Sequence, residues 1–318
     1  MTGAGAGNLA WLHEPVDDYR GSPSDTTYKV TGQDQTLDDL TIENAIQRLR
    51  NFSSEAKELI ATTFEGAISI SGVVTEDTAW LLNHVFGEEP TQSGSGPYTY
   101  TWAPTNGLVQ SARFYVGLDH LNGYAERELK GVVFPQADFE NPEDGPATYT
   151  LTGFFADEEL ATSATPGSAP STTSDAFVFH GGSLDVDSST QKKMESATLS
   201  IQMGHRGIRG WERKFSDAVP GAEEHTLSPT KIITSTDLLT TAYGNSTAPT
   251  TSSGVNSVPA SLQLGNHSET LTFELPTVIP DTHSWENIGE AANDKTESVE
   301  LTVATLTAEL STSTPSAQ

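Results

Sequence analysis

The sequence predicts a mainly β fold, built as two tandem β-sandwich or barrel units with short flanking α-helices. Three observations carry this. Many short stretches alternate apolar and polar residues, as in Ile68 and Ile70 against Ser69 and Ser71, or Leu271, Phe273 and Leu275 against Thr272 and Glu274, the period of a half-buried strand. Loops rich in Ser, Thr, Gly and Pro separate them, most clearly ATSATPGSAPSTTS at 161–174. Two stretches also echo each other: GVVTEDTAWLLNHVFG at 72–87 and KIITSTDLLTTAYG at 231–244. Both run from a β-branched pair through a threonine and an acid-bearing turn to paired leucines, an aromatic residue and a glycine, which reads as a diverged internal duplication.

Residues 1–36 form an N-terminal arm whose early apolar anchors are Trp11, Leu12, Val16 and Tyr19. It reads either as a frayed terminus or as a segment that orders only against a neighbouring subunit. The first unit spans 37–165. Ile42, Ala45, Ile46 and Leu49 predict a short amphipathic helix over 40–50, with a further turn capped by Ser53 or Ser54. The strand GAISISG follows. Thr75 is the expected N-cap of the next helix, with Glu76 and Asp77 in its first turn and Gly87 as its stop. Ala79, Leu82, Val85 and Phe86 share its buried face. Tyr98, Tyr100 and Trp102 share a strand face, and Phe114, Val116 and Leu118, then Leu129 and Val133, then Tyr149, Leu151 and Phe155 mark further strands. The second unit spans 166–310. Ala197, Leu199, Ile201 and Met203 alternate cleanly in it, whereas in the last strand Val299, Leu301 and Val303 have the opposite parity to Leu306, Ala308 and Leu310. That slip near Ala304–Thr305 predicts a β-bulge or a strand that changes neighbours. Residues 311–318 are a polar tail. The total is about ten strands and three short helices.

The 318 residues carry 43 acidic and 16 basic side chains, a net charge of −27, with no cysteine. Such a surface repels phosphates and anionic membranes in general. Without cysteine there is neither a disulfide framework nor a cysteine metal site. The N-terminal sequence lacks a basic region and an apolar run, so no signal peptide is expected, and no stretch has the ~18 apolar residues of a membrane span. Scarce lysine, abundant acid and Thr/Ser-rich strand faces suit a surface hydrated in concentrated salt, where the Debye length shrinks to about 3 Å at 1 M. A halophilic origin is the expectation.

The segments GAISISG, TEDTAWLLNHVFG and AERELKG, with AIQRLRNF upstream and ESATLSIQMGHRGIRG downstream, resemble the tail tube proteins of tailed viruses. In order of elements the likeness covers about residues 40–310. With the halophilic composition, it suggests a major tail protein of a virus infecting a haloarchaeon. The resemblance implies two tail-tube-like units and a structural role: rings stacked into a hollow tail tube through which viral DNA passes without specific binding. The implied partners are further copies of the chain, a tape measure protein and the proteins at the tube ends, with no membrane. The implied location is the virion tail, after synthesis in the host cytoplasm. Single-unit tube proteins form six-fold rings, so two fused units favour a trimer as a pseudo-hexamer; a hexamer of whole chains stays open.

No catalytic or cofactor constellation is legible. The eight histidines, His13, His84, His120, His180, His205, His225, His267 and His283, show no metal spacing, and His84 reads as a boundary residue. The pair Asp185 and Asp187 reads as a by-product of an acidic composition, and His180 beside Gly181–Gly182 as a turn residue. No metal, cofactor or enzymatic activity is expected. One charge anomaly stands out: residues 192–231 hold seven of the sixteen basic residues. Within it Arg206, Arg209, Arg213 and Lys214 are candidates for subunit contact. The alternative from another class is a β-sandwich adhesin or carbohydrate-binding module, with Tyr98, Tyr100 and Trp102 as an exposed aromatic strip.

Overall fold

A computed structural model describes residues 7–49, 58–167, 170–172, 174–250, 254–266, 268–290 and 293–313. Among them the first half holds β1 (Gly7–His13), β2 (Gln33–Leu49), β3 (Glu58–Val73), α1 (Glu76–Ala79), α2 (Leu82–Phe86), β4 (Thr91–Ser93), β5 (Tyr98–Trp102), β6 (Ala112–His120), β7 (Gly123–Pro142), β8 (Thr148–Phe155) and β9 (Asp157–Ala161). The second half holds β10 (Ser183–Val186), β11 (Ser189–Thr190), β12 (Met194–Gln202), β13 (Arg206–Ile208), β14 (Asp217–Val219), β15 (Glu224–Ile232), α3 (Asp237–Tyr243), β16 (Val258–Gly265), β17 (Thr270–Glu286) and β18 (Thr296–Thr312). The protein is mainly β, as the alternating patterns predict.

Both halves use one strand order. Antiparallel neighbours run β6-β7-β8-β3-β2 in the first half and β16-β17-β18-β15-β12 in the second. The correspondence extends to irregularities. β7 slips against β8 between Val133 and Gln136, and β17 slips against β18 between Pro280 and Thr282. β3 and β15 each lead to a helix that ends on a left-handed glycine, Gly87 at φ 89° and Gly244 at φ 65°. The sequence echo at 72–87 and 231–244 is thus a geometric one. The parity slip in β18 is also present: β17 shifts register opposite Thr305.

The two halves share one sheet and one core. β12 lies antiparallel on β7, from Ser196 opposite Pro142 to Gln202 opposite Gln136, and β5 lies on β18. A single apolar cluster runs from Trp11, Ile68 and Phe86 through Phe139 and Leu199 to Phe273 and Leu310. Burial of such side chains stabilises by about 1.5–3 kcal/mol each.

Several expectations need correction. The helix expected over 40–50 is β2, a long strand paired with β3. The further turn expected at Ser53 or Ser54 lies outside the described residues, as do 314–318 of the polar tail. The N-terminal segment orders against its own chain: β1 pairs with β6, Trp11 is fully buried, and its indole Nε1 donates to Val30 O at 2.9 Å. Thr75 takes the extended cap position before α1, but the hydroxyl that closes the turn is that of Thr78, which accepts from Thr75 N at 3.1 Å. The expected single helix is broken at Trp80–Leu81 into α1 and α2.

Gly87 is required by its backbone. A Cβ there would meet Thr105 Cγ2 at 2.5 Å in a left-handed conformation. Gly87→Ala is expected to lower stability by roughly 1–2 kcal/mol, read as a shifted denaturant midpoint with an unchanged slope.

Candidate assembly surfaces

The basic segment is used inside the chain. Residues 203–223, which connect β12 to β15, are equal in length to 44–64, the matching connection between β2 and β3. In the latter, Asn44–Leu49 and Glu58–Phe64 continue the pairing of β2 with β3, whereas 203–223 fold back over the first half. Arg209 donates to Phe64 O at 2.9 Å and to Glu65 at 3.0 Å, with its guanidinium 3.9 Å from the centre of the Phe215 ring. Arg213 donates to Asn44 Oδ1, and its carbonyl accepts from Phe64 N at 3.0 Å. Lys214 pairs with Asp157. His205 Nε2 donates to Val85 O at 2.7 Å. Of the four candidates, Arg209, Arg213 and Lys214 therefore bind the second half to the first, while Arg206 is exposed on β13. These partners within the chain lie far away in sequence, where spacing does not reveal them.

Several sheet edges are open among the described residues, and two of them lie on the long strands β2 and β17, one in each half. β2 has β3 on one side and no strand on the other. β17 has β18 along its length, but β16 reaches only Val278, leaving 280–286 uncovered on that side. Both edges carry exposed apolar side chains: Leu37, Ile42, Ile46 and Leu49 on β2, and Trp285 on β17. Unpaired edges of this kind are templates for another chain.

His84 is fully buried rather than at a boundary, and burial lowers its pKa to about 4. His13, lowered by burial and by the neighbouring His84, shares a 3.1 Å hydrogen bond with it. His180 lies in a short 3-10 turn, and His267 lies outside the described residues. Asp187 sits in a tight turn at φ 50°. Among the described residues no three His, Cys, Asp or Glu side chains stand together as metal ligands, and no helix is long and apolar enough to cross a membrane. Tyr100 and Trp102 are buried in the core and Tyr98 packs against it. The aromatic strip that would support a carbohydrate-binding module is therefore interior packing.

Lys231 and Glu297 form a buried ion pair at 3.3 Å, with His283 on the second carboxylate oxygen at 3.1 Å. Lys231 also donates to Gln191 at 2.8 Å. Removing one partner of a buried pair strands the other, so Glu297→Ala is expected to destabilise the second half by about 3 kcal/mol, checked by urea unfolding.

A protein-family model described as phage tail tube protein matches residues 25–309. No curated protein matches the chain.

Proposed function

The chain belongs to the phage tail tube proteins, a structural component of the virion tail, and from that membership we propose that it closes into rings that stack as the hollow tube for viral DNA. The observation that carries the reading is the pair of open, apolar sheet edges on β2 and β17, one in each half. Pairing them between copies removes both edges by closure, and a contact between unlike surfaces that closes makes a ring. Two halves with one strand order favour three chains as a pseudo-six-fold ring. The net charge of −27 favours a lumen along which phosphates slide without being held. A tape measure protein inside the tube, proteins at its ends and synthesis in the host cytoplasm complete the reading. The exposed Arg206 is proposed to meet an acidic surface of a neighbouring copy.

Negative-stain microscopy of concentrated protein is expected to show rings or tubes, and native mass of a released ring to give three chains. Protein that stays monomeric at every salt concentration would remove the reading. The acid-rich composition supports a haloarchaeal host. A melting temperature that rises strongly from low to molar salt is the expected result, since screening relieves self-repulsion; equal stability at both would exclude it.

A further inference from the structure

The seam between the two halves is a template for the seam between copies. On β7, the edge 136–142 holds β12. The matching edge of β17, 280–286, is open. The strand of the first half that matches β12 is β2, and its outer side is open too. We propose that β2 of one copy pairs antiparallel with residues 280–286 of β17 of the next copy, in the register of the internal seam. This rests on the ring reading above and names its interface.

The register follows from shared partners. Thr148 pairs with Glu140 and Thr296 with Glu286, so Phe139 corresponds to Trp285 and Ala137 to His283. Through β3 and β15, Leu199 corresponds to Leu40 and Ile201 to Ile42. Inside the chain Phe139 faces Leu199. Between copies Trp285 then faces Leu40, Ser284 faces Thr41, and His283 faces Ile42.

Side-chain exposure separates the two seams as the proposal requires. Phe139 and Ile201, at the closed seam, are 1% and 0% exposed, whereas their counterparts Trp285 and Ile42, at the open edges, are 47% and 44% exposed. Phe139 also crosses the internal seam to pack on Phe273, with ring centres 4.9 Å apart. The first-half counterpart of Phe273 is Arg127. Arg127 lies with Leu37, Leu40, Val116 and Leu118 in a mainly apolar groove of about 630 Å³. The neighbour's Trp285 is the side chain placed to fill it. Its indole meets the aliphatic walls and the Arg127 guanidinium, a favourable cation–π partner.

The new seam differs from its template in charge. Glu140 faces Thr198 inside the chain, but the corresponding pair between copies is Glu286 and Asp39. Like charges directly opposite across strands are destabilising, so ring closure should require screening salt.

The chain has no cysteine, so a double variant, Thr41→Cys with Ser284→Cys, reports on this seam alone. Directly opposed antiparallel residues have Cα atoms about 4.5–5.5 Å apart, within disulfide reach. Mild oxidation of assembled rings is expected to give a denaturant-resistant, reductant-sensitive ladder ending at three chains. Thr36→Cys with Ser284→Cys, out of register, should give none. Trp285→Ala should melt like the parent yet need about thirtyfold or more protein to form rings, the scale of a central interface tryptophan. Parent rings in the microscope without the in-register cross-link, and with Trp285→Ala assembling normally, would overturn this interface and leave the ring reading standing. A parent chain that never forms rings would overturn both.

Discussion

Glu14→Ala is expected to cost about 3–5 kcal/mol of folding stability. Glu14 follows β1, and its side chain is shielded from water. Its carboxylate accepts from Ser111 Oγ at 2.6 Å, Arg20 N and Gly131 N at 3.1 Å, and Arg113 Nε at 3.2 Å. Arg113 in turn holds Glu128 at 3.0 Å and the carbonyls of Arg20 and Gly21 at 3.0 and 2.9 Å. The network thus ties the N-terminal segment to β6 and β7. Alanine would leave several buried donors without an acceptor, each costing about 1–3 kcal/mol. Burial pushes the Glu14 carboxyl up to about 7, against the hydrogen bonds from Ser111 and Gly131 and the charge of Arg113. A neutral side chain of the same shape is therefore tolerated better, and Glu14→Gln should lose less than half as much. Urea unfolding at neutral pH checks both; near-parent stability for Glu14→Ala would show the network to be dispensable.

Stability is expected to fall as pH drops from about 6.5 towards 4. His84 Nδ1 lies 3.1 Å from Gln110 O, which only accepts, so that nitrogen carries the proton. The neutral ring then accepts at Nε2 from His13 Nδ1. Trp11 packs edge-on against both rings, at 4.7 and 5.4 Å. Protonating His84, which is shielded from solvent, sets two N–H groups against each other. The folded pKa of about 4 lies below the ordinary 6.5, so between those values the unfolded chain binds more protons and folding weakens as pH falls. At about 1.4 kcal/mol per pH unit, His84 alone accounts for about 3 kcal/mol. His13, His205 and His225, also lowered by burial, act in the same direction. Glu14 acts oppositely. Its folded pKa is raised, so its proton favours the fold as pH drops from about 7 to 4.5. Melting curves across this range should lose stability on the acid side, more steeply in Glu14→Gln. A ring-carbon titration of His84 with a midpoint near 6.5 would contradict the assignment.

Most of the β architecture was legible because half-buried strands alternate. It failed where bulges interrupt the alternation. β2 shifts register between Gln33 and Thr36, between Leu37 and Asp39, and between Asn44 and Ile46, which spaces Ile42, Ala45, Ile46 and Leu49 like a helix face. β1 was missed because Ala10, Trp11 and Leu12 are all buried in succession, a pattern without period. In β18 a single slip between two clean runs was readable as a bulge. The assembly surfaces were less accessible. The basic cluster is visible as composition, but its partners Phe64, Asn44 and Asp157 are brought to it only by the β7–β12 pairing. Trp285 has no marking in sequence; it acquires meaning once the repeated strand order places it where Phe139 stands in the first half.

The covalent joining of two matching halves has a kinetic meaning. In the proposed ring of three chains, every second junction would already be made when one polypeptide finishes folding. Fewer free bodies would then have to give up their translational and rotational freedom to complete that circle, so nucleation of the proposed tube would start closer to its goal, with junctions between copies that could stay weak until salt screens their acids.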